Sequence, residues 1–390
     1  MAELQVLGPP GTGKTTYLAS QVARAVDEYG SERVIVSSLT KAAAAEIAGR
    51  GLNIPRQHAG TLHSLAYRSL GAPLIADTVV DRFNAAYPAY AVTPEKRTPD
   101  QDGPMEGPPG ESPGDAARAE VGLLRARMAP RELWPAHARA WSTAWEAFKA
   151  DTGSIDFTDM ISMALETMST APGDPDVIFA DEVQDYSRLE LSLLRQWGGH
   201  TRNLVLAGDP DQAIYEWRGA DPAVFLDHDV GGNRRILAQS YRVPRAVHEV
   251  ASRWVQRIKA RIDAEYRPRE ADGAVHYQTG MRWKYPEAML RYIERWANAG
   301  ETVIIQASCE YMLAPTLAVL RREGIPFNNP WRVERGSWNP LDGRGVTMAR
   351  RILAYLRPDI AGQWWSSEDL RMWTAVLKAD GVMKRGAKAE

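Results

Sequence analysis

The sequence contains very little cysteine, no long apolar run and almost no net charge. Cys309 is the only cysteine, which excludes a disulfide framework and predicts a reducing, cytoplasmic environment. No apolar stretch approaches the roughly 20 residues of a membrane helix, and no basic region followed by an apolar run marks a secretory signal at the N-terminus. The seven histidines lack the cysteine neighbours of a zinc site. With a formal net charge of −2 over 390 residues, any binding of nucleic acid must come from local grooves.

Short apolar runs alternate with helical patterns along the chain. Such runs occupy residues 4–7, 34–36, 177–180, 204–206 and 303–305. Their alternation with helices predicts an α/β fold, in which helices cover both faces of a parallel sheet.

The composition changes sharply between residues 93 and 115. This segment is rich in proline, glycine and acidic residues and has almost no large apolar side chains, so it predicts a disordered insertion. An apolar stripe with helical spacing follows it, and such a stripe is more often core than a ligand site. The stripe consists of Trp134, Ala138, Trp141, Trp145 and Phe148.

Residues 8–15, Gly-Pro-Pro-Gly-Thr-Gly-Lys-Thr, follow the first apolar run and open a helical pattern. Their spacing is that of a P-loop, in which glycines let backbone N–H groups turn toward phosphate oxygens. Lys14 is expected to reach the β- and γ-phosphates of ATP, and the Thr15 hydroxyl to hold Mg²⁺. A glycine-rich turn that matches by chance is the alternative, and the strand–loop–helix context argues against it. The predicted ATP-binding residues are Gly8, Pro9, Pro10, Gly11, Thr12, Gly13, Lys14, Thr15 and Thr16.

Two acidic residues, Asp181 and Glu182, stand directly after the apolar run at 177–180. Ligands of open α/β sheets gather at the carboxyl ends of strands, so Asp181 is expected to hold Mg²⁺. Glu182 can then orient or deprotonate an attacking water. Alone, such a pair is as often a solvated turn; together with the P-loop, it indicates a site of ATP hydrolysis.

Residues 207–221, Ala-Gly-Asp-Pro-Asp-Gln-Ala-Ile-Tyr-Glu-Trp-Arg-Gly-Ala-Asp, combine acids and an amide with aromatic residues. Core segments seldom mix charges and aromatic side chains so densely. The pattern therefore indicates a polar sensor and an aromatic platform a few residues apart.

These residues, in this order, resemble the motifs of the UvrD/Rep-type superfamily 1 DNA helicases. The P-loop resembles motif I, residues 181–185 resemble motif II, and residues 207–221 resemble motif III. Further segments that resemble family motifs or elements are residues 34–47, 60–68, 156–161, 237–244 and 301–327. The resemblance covers residues 1 to about 357, apart from the predicted disordered insertion.

The resemblance implies roles for residues outside the phosphate site. Gln212 would sense the γ-phosphate of ATP. Trp217, with Tyr215 beside it, would stack on an unpaired base without sequence preference. Arg242, in the counterpart of motif IV at 237–244, would reach the γ-phosphate from a second domain.

Thr61 and His63 would touch the backbone of the DNA strand, although without the resemblance His63 is more simply explained as a helix-capping histidine. The family carries an aromatic base platform in the segment that begins at residue 34, where this sequence has Ser38. No counterpart of motif V or motif VI follows residue 327. The resemblance is therefore to a C-terminally truncated helicase.

The resemblance also implies a domain organisation. A P-loop NTPase (RecA-like) motor domain would comprise residues 1–71 and 151–230, with an inserted helical region at 72–150. A partial second RecA-like domain would follow at 231–335, and a fragment of a second helical insertion at 336–390.

The sequence thus predicts an ATP-dependent DNA helicase or translocase that uses ATP and Mg²⁺ to move on single-stranded or partly duplex DNA, in replication or repair. One alternative is a truncated or split helicase half, which binds ATP and single-stranded DNA but needs a complementing chain for activity. Another is a P-loop ATPase of the AAA+ class, against which Gln212, Trp217 and Arg242 argue.

Overall fold

The computed structural model describes residues 2–39, 43–44, 47, 53–94, 112–226, 230–259 and 261–328. The chain divides into two compact units, Met1–Val275 and His276–Glu390. All of the predicted site residues belong to the first unit. Within the described ranges, no helix is both long and apolar enough to cross a membrane.

The first unit is built on a parallel sheet. Its strands, within the described residues, are β1 (Ala2–Leu7), β2 (Val34–Ser37), β3 (Ala59–Gly60), β4 (Leu74–Ile75), β5 (Ser154–Ile155), β6 (Val177–Ala180), β7 (Asn203–Gly208) and β8 (Arg234–Ile236). Six of them form one sheet in the order β3-β2-β6-β7-β1-β8, with every pair parallel, while β4 and β5 pair separately. The carboxyl ends of the six strands therefore lie along one edge. The predicted α/β fold with a parallel sheet is confirmed.

Helices cover both faces of this sheet. Those with bounds inside the described residues are α1 (Lys14–Tyr29), α2 (Leu62–Ser69), α3 (Val80–Ala86), α4 (Asp115–Ala126), α5 (Ala136–Thr152), α6 (Phe157–Thr167), α7 (Arg188–Gly198), α8 (Pro222–Leu226), α9 (Arg245–Val255), α10 (Glu287–Asn298) and α11 (Ala314–Arg322). Val34 and Val36 of β2 pack in the core formed with α1, whereas Ile35 packs on the opposite face with α2, α6 and α7. Because both faces of the sheet are buried, the strand sequences are continuous apolar runs rather than alternating ones.

A separate aromatic core holds the inserted helices together. Trp141 and Trp145 are buried, and their ring centroids stack 5.5 Å apart. Phe83 meets Trp145 edge-on at 4.8 Å. The predicted assignment of the tryptophan stripe to core is confirmed.

A buried ionic network joins these inserted helices to α6. Asp156 caps the N-terminus of α6 by accepting a hydrogen bond from the Asp159 N–H. Arg125 of α4 and Lys149 of α5 each donate to the Asp156 carboxylate at 2.8 Å. Burial alone would raise the pKa of Asp156, but the two cations outweigh it and hold that pKa well below its usual range.

Several predictions made from the sequence differ from the structure. Of the predicted disordered segment, residues 95–111 lie outside the described residues, but its ends are ordered, since Asp115 accepts hydrogen bonds from the Thr93 N–H and hydroxyl. The predicted strand at 303–305 is wrong. Ile304 is 77% exposed, and no paired strand occurs among the described residues of the second unit. An apolar run forms a strand only where a neighbouring strand accepts its backbone hydrogen bonds.

The predicted domain boundary at residue 231 also differs from the division after Val275. Strand β8 adds to the free edge of β1, so the segment after residue 231 is part of the first sheet. Assignment of 231–335 to a second RecA-like domain stays a prediction, and the predicted helical fragment at 336–390 lies outside the described residues. Within the second unit, α10 and α11 contact each other around the buried side chains Ile293 and Leu320.

Candidate nucleotide and nucleic-acid site

The predicted P-loop connects β1 to α1 at the carboxyl edge of the sheet. Gly11 and Gly13 adopt left-handed backbone angles, with φ of 76° and 81°, which turn the loop around the N-terminus of α1. The helix then begins at Lys14, whose ammonium group donates to the Gly8 carbonyl at 2.6 Å. This loop-and-helix geometry is the one that binds phosphate in P-loop proteins.

Segment 237–243, which follows β8, packs against this loop. The Ser240 hydroxyl donates to the Pro10 carbonyl at 2.9 Å, and the Tyr241 N–H donates to the Gly11 carbonyl at 2.8 Å. A Cβ atom on Gly11 would lie only 2.4 Å from the Arg242 Cβ atom. Glycine at position 11 is thus required both by its φ angle and by this close approach.

An open cleft of about 610 Å³ lies between the loop and this segment. Its lining residues are Gly11, Gly13, Thr16, Tyr241, Arg242 and Arg269. Arg242 therefore lies at the phosphate loop, as the resemblance implies, but it does so from the first compact unit rather than from a separate domain. Tyr241, whose exposed fraction is 75%, and Arg269 were not singled out from the sequence. Tyr241 could have been found as the aromatic neighbour of Arg242, whereas nothing local marks Arg269.

The predicted metal ligand Asp181 and the predicted catalytic residue Glu182 follow β6, which is separated from β1 by β7. Asp181 is buried, and its N–H donates to the Ser37 carbonyl at 2.9 Å. Glu182 adopts a left-handed conformation with φ of 55°, a strained angle for a non-glycine residue that often marks a functional turn. Its N–H donates to the Asp181 carboxylate at 3.0 Å. The strained turn thus projects two successive carboxylates from one strand end.

Thr15 and Asp181 supply a hydroxyl and a carboxylate, the hard oxygen ligands that suit Mg²⁺. No cluster of three or more His, Cys, Asp or Glu side chains able to hold a metal occurs in the part of the chain that the structure describes. A Mg²⁺ ion held mainly by nucleotide phosphates and water needs no such cluster. The residues present therefore fit this ion.

Motif II and motif III are joined by one buried amide side chain, which the sequence did not single out. Gln184 donates to the Glu182 carboxylate at 2.8 Å, and its amide oxygen accepts from the Asp209 N–H at 2.9 Å. A Cβ on Gly208 would lie 2.7 Å from that oxygen, so a larger residue would displace the Gln184 amide. Asp209 in turn accepts from the Gln212 side chain. A continuous path of hydrogen bonds thus runs from Glu182 to Gln212.

The predicted aromatic platform is exposed beyond this path. Trp217 is 56% exposed, and its ring lies edge-on to Tyr215 at a centroid distance of 6.3 Å. The turn ends at Gly219, whose φ is 103° and where a Cβ would lie 2.6 Å from the Ala126 Cβ. The platform therefore rests against helix α4 while the Trp217 ring faces solvent.

Thr61 and His63, the predicted backbone contacts, both have structural partners. The Thr61 hydroxyl caps α2 by accepting from the Ser64 N–H at 3.2 Å. The His63 ring lies 3.6 Å from the carboxylate of buried Glu190 and packs near Phe157. Their contact with DNA stays a prediction.

Asp185 makes stability depend on pH. Burial raises its pKa to about 6 and the Glu182 charge adds to this, while hydrogen bonds from Ile214 and Gln184 and the Arg218 charge oppose it. Because this pKa is raised above its unfolded value, the group's stabilising contribution is complete below about pH 4 and disappears as pH rises through about 6. We expect the unfolding free energy to lose about 1 kcal/mol from this group between pH 5 and pH 7.5.

The matched variant is Asp185→Asn, measured by urea unfolding at both pH values. Any hydrogen bond that the asparagine fails to make lowers the unfolding free energy equally at both pH values. The difference in unfolding free energy between pH 5 and pH 7.5 should therefore be smaller in the variant than in the parent. An unchanged difference between the two pH values would show that Asp185 does not titrate in this range.

The sequence comparison identifies the family. The profile of the AAA domain family matches residues 2–218, more than half of the chain. The chain belongs to this family. It is 26% identical over 299 residues to the ATP-dependent DNA helicase UvrD2 of Mycobacterium tuberculosis, covering 66% of this chain and 42% of that protein. It is 22% identical over 386 residues to the ATP-dependent DNA helicase PcrA of Staphylococcus aureus, covering 92% of this chain and 53% of PcrA.

A third relative is YjcD of Bacillus subtilis, whose name describes an ATP-dependent DNA helicase. It is 26% identical over 279 residues, covering 64% of this chain and 35% of YjcD. Together with the AAA-domain match, these relatives confirm that the chain is of the UvrD/Rep type, as its motifs predict. The chain spans about half, or less, of the length of these curated relatives.

Proposed function

We propose that this chain is an ATP-dependent DNA helicase or translocase, which hydrolyses ATP to move on single-stranded or partly duplex DNA. The observation that carries the proposal is the arrangement along one sheet edge. The P-loop with Lys14, the carboxylate of Glu182 and the amide of Gln212 follow β1, β6 and β7, and an exposed Trp217 stands five residues beyond Gln212. The proposed location is the cytoplasm, and the proposed processes are replication or repair.

In the proposed reaction, the N–H groups of the P-loop and the Lys14 ammonium bind the phosphates of ATP. A bound Mg²⁺, held through Thr15 and Asp181, would neutralise developing charge on the phosphates. Glu182 orients an attacking water and accepts its proton. Arg242, from the facing wall of the cleft, stabilises negative charge on the γ-phosphate.

The same arrangement couples hydrolysis to movement. Gln212 donates a hydrogen bond to the γ-phosphate before hydrolysis and loses that partner afterwards. Because Gln212 and Trp217 belong to one short segment, its displacement alters how the Trp217 ring meets an unpaired base. Tyr241, exposed at the cleft, presents an aromatic face on which a nucleobase can stack.

The direct test uses the purified 390-residue chain. Phosphate release should require ATP and Mg²⁺ and should rise when poly(dT) is added, and a forked duplex should separate or a bound strand should be displaced. A chain that binds both ligands but hydrolyses ATP only after a complementing chain is added would replace this proposal with the split-helicase alternative.

Replacing Trp217 with alanine should weaken single-stranded DNA binding by about 1–3 kcal/mol, the usual cost of a lost base-stacking contact. The loss should be similar for different sequences, because stacking reads no base edge. Fluorescent oligonucleotides titrated at fixed salt measure it, since the phosphate contribution varies with salt. Trp254→Ala is the matched control, as Trp254 is 62% exposed and lies outside the motifs. Equal losses in the two variants would contradict a specific platform at Trp217.

A further inference from the structure

A segment outside all of the motifs, residues 261–269, which we term the strap, lies against the P-loop. The Tyr266 hydroxyl donates to the Pro10 carbonyl at 3.0 Å. The Arg267 N–H donates to the Ala238 carbonyl at 2.8 Å, and the Arg269 N–H donates to the Val243 carbonyl at 2.9 Å. The strap therefore runs along the segment that forms the second wall of the nucleotide cleft.

The other end of the strap is fixed to motif III. Arg261 donates two hydrogen bonds to the two carboxylate oxygens of Asp211, at 3.3 and 3.1 Å. Both side chains are largely buried, with exposed fractions of 22% and 18%. Asp211 immediately precedes Gln212. The strap thus has fixed contacts with motif III and with the P-loop, and these contacts set where its last residue lies.

That last residue, Arg269, lines the cleft together with Arg242, so the cleft has two arginines in its lining. The other strap arginines have acidic partners, since Arg261 pairs with Asp211 and Arg267 lies 3.5 Å from Glu265. No acidic side chain among the described residues forms an ion pair with Arg269. Arg269 instead lines the same cleft as Gly11 and Gly13 of the P-loop.

Guanidinium groups bind phosphate oxygens with paired N–H donors, and such charge-assisted hydrogen bonds are stronger than neutral ones. A cleft that combines P-loop N–H groups with two arginines is suited to a polyanion. We propose that Arg269 is a further nucleotide-binding residue, whose guanidinium contacts phosphate oxygens of the nucleotide that the P-loop holds. This inference rests on the proposed function, because it takes the ligand to be a nucleoside triphosphate.

The test measures binding by calorimetry to the full chain with Mg²⁺, using ATP and tripolyphosphate as probes. Arg269→Gln should weaken the binding of both probes by about 10- to 100-fold, the range expected when hydrogen bonds to a charged group are lost. Arg269→Lys, which keeps the charge but not the paired donors, should lose less. Arg267→Gln is the matched control and should bind both probes like the parent. Arg269 is exposed and its structural contact is through the backbone N–H, so thermal unfolding should be unchanged.

The outcomes separate this inference from the proposed function. If Lys14→Ala loses ATP binding while Arg269→Gln binds ATP like the parent, Arg269 does not bind the nucleotide. If Arg269→Gln loses affinity for ATP but not for tripolyphosphate, the contact is to the base or ribose, and the phosphate assignment is wrong. If Lys14→Ala itself binds ATP like the parent, the P-loop site and the proposed function fail together.

Discussion

Replacing Lys14 with alanine should lower ATP turnover by at least about 10²–10³-fold, the cost of removing one preorganised donor to developing charge. The ammonium group is the cation that the P-loop itself supplies, and it lies 2.6 Å from the Gly8 carbonyl at the turn that the phosphates would fill. Alanine is a good residue for the first position of a helix, so α1 should form as before. ATP affinity should fall together with turnover, and circular dichroism should be unchanged.

The matched control is Arg24→Ala, which removes an exposed cation from the same helix without touching the loop. Steady-state phosphate release and ATP binding should both remain at the parent level in this control. Unchanged ATP affinity of a normally folded Lys14→Ala chain would contradict the assignment of the phosphate site.

Sequence patterns predicted the strand, loop and helix of the candidate phosphate site because their determinants are local. Four of the five apolar runs lie in strands of the main sheet, where burial on both faces demands continuous apolar residues. Gly11 and Gly13 occupy the left-handed conformations that the spacing of the P-loop implies. Because the strands pair in parallel, their carboxyl ends lie at one edge of the sheet, and no other contact has to be predicted to bring them together.

The contribution of the strap to the cleft could not be predicted in this way. Arg269 lies more than 250 residues from the P-loop, and it reaches the cleft only because β8 adds to the edge of β1 and the strap follows. Such an edge addition depends on long-range packing, which no short window of sequence records. The run at 303–305 is the converse case, since its local pattern predicts a strand but no partner strand pairs with it among the described residues.

The role of Gln184 is hidden for a different reason. Its residue type and position fit motif II, but its contacts depend on the close approach of Gly208 and on the strained turn at Glu182. Sequence alone identified both ends of the path, Glu182 and Gln212, and not the amide that connects them. Side-chain contacts of this kind follow from the strand order, because β6 and β7 are neighbours.

Replacing Glu182 with glutamine should lower the rate of ATP hydrolysis by about 10²–10⁴-fold, the usual contribution of a positioned general base. The glutamine oxygen can still accept the hydrogen bond from Gln184, and the backbone turn at this position is unchanged. The variant should therefore fold and bind ATP with the affinity of the parent, in contrast to Lys14→Ala. Single-turnover phosphate release, measured beside ATP titration, separates the two effects.

The control is Glu166→Gln, the same substitution at an exposed carboxylate on α6. It should hydrolyse ATP at the parent rate, because it removes an equal charge away from the strand ends. A Glu182→Gln chain that hydrolyses ATP nearly as fast as this control would show that Glu182 is not the base. If hydrolysis is slow but ATP binding is retained, single-stranded DNA should still bind to Trp217 in the ATP-bound chain, because the proposed contact of Gln212 with the γ-phosphate would persist. Loss of DNA binding in that variant would instead mean that Glu182 shapes motif III through Gln184, and that its effect on the rate is indirect.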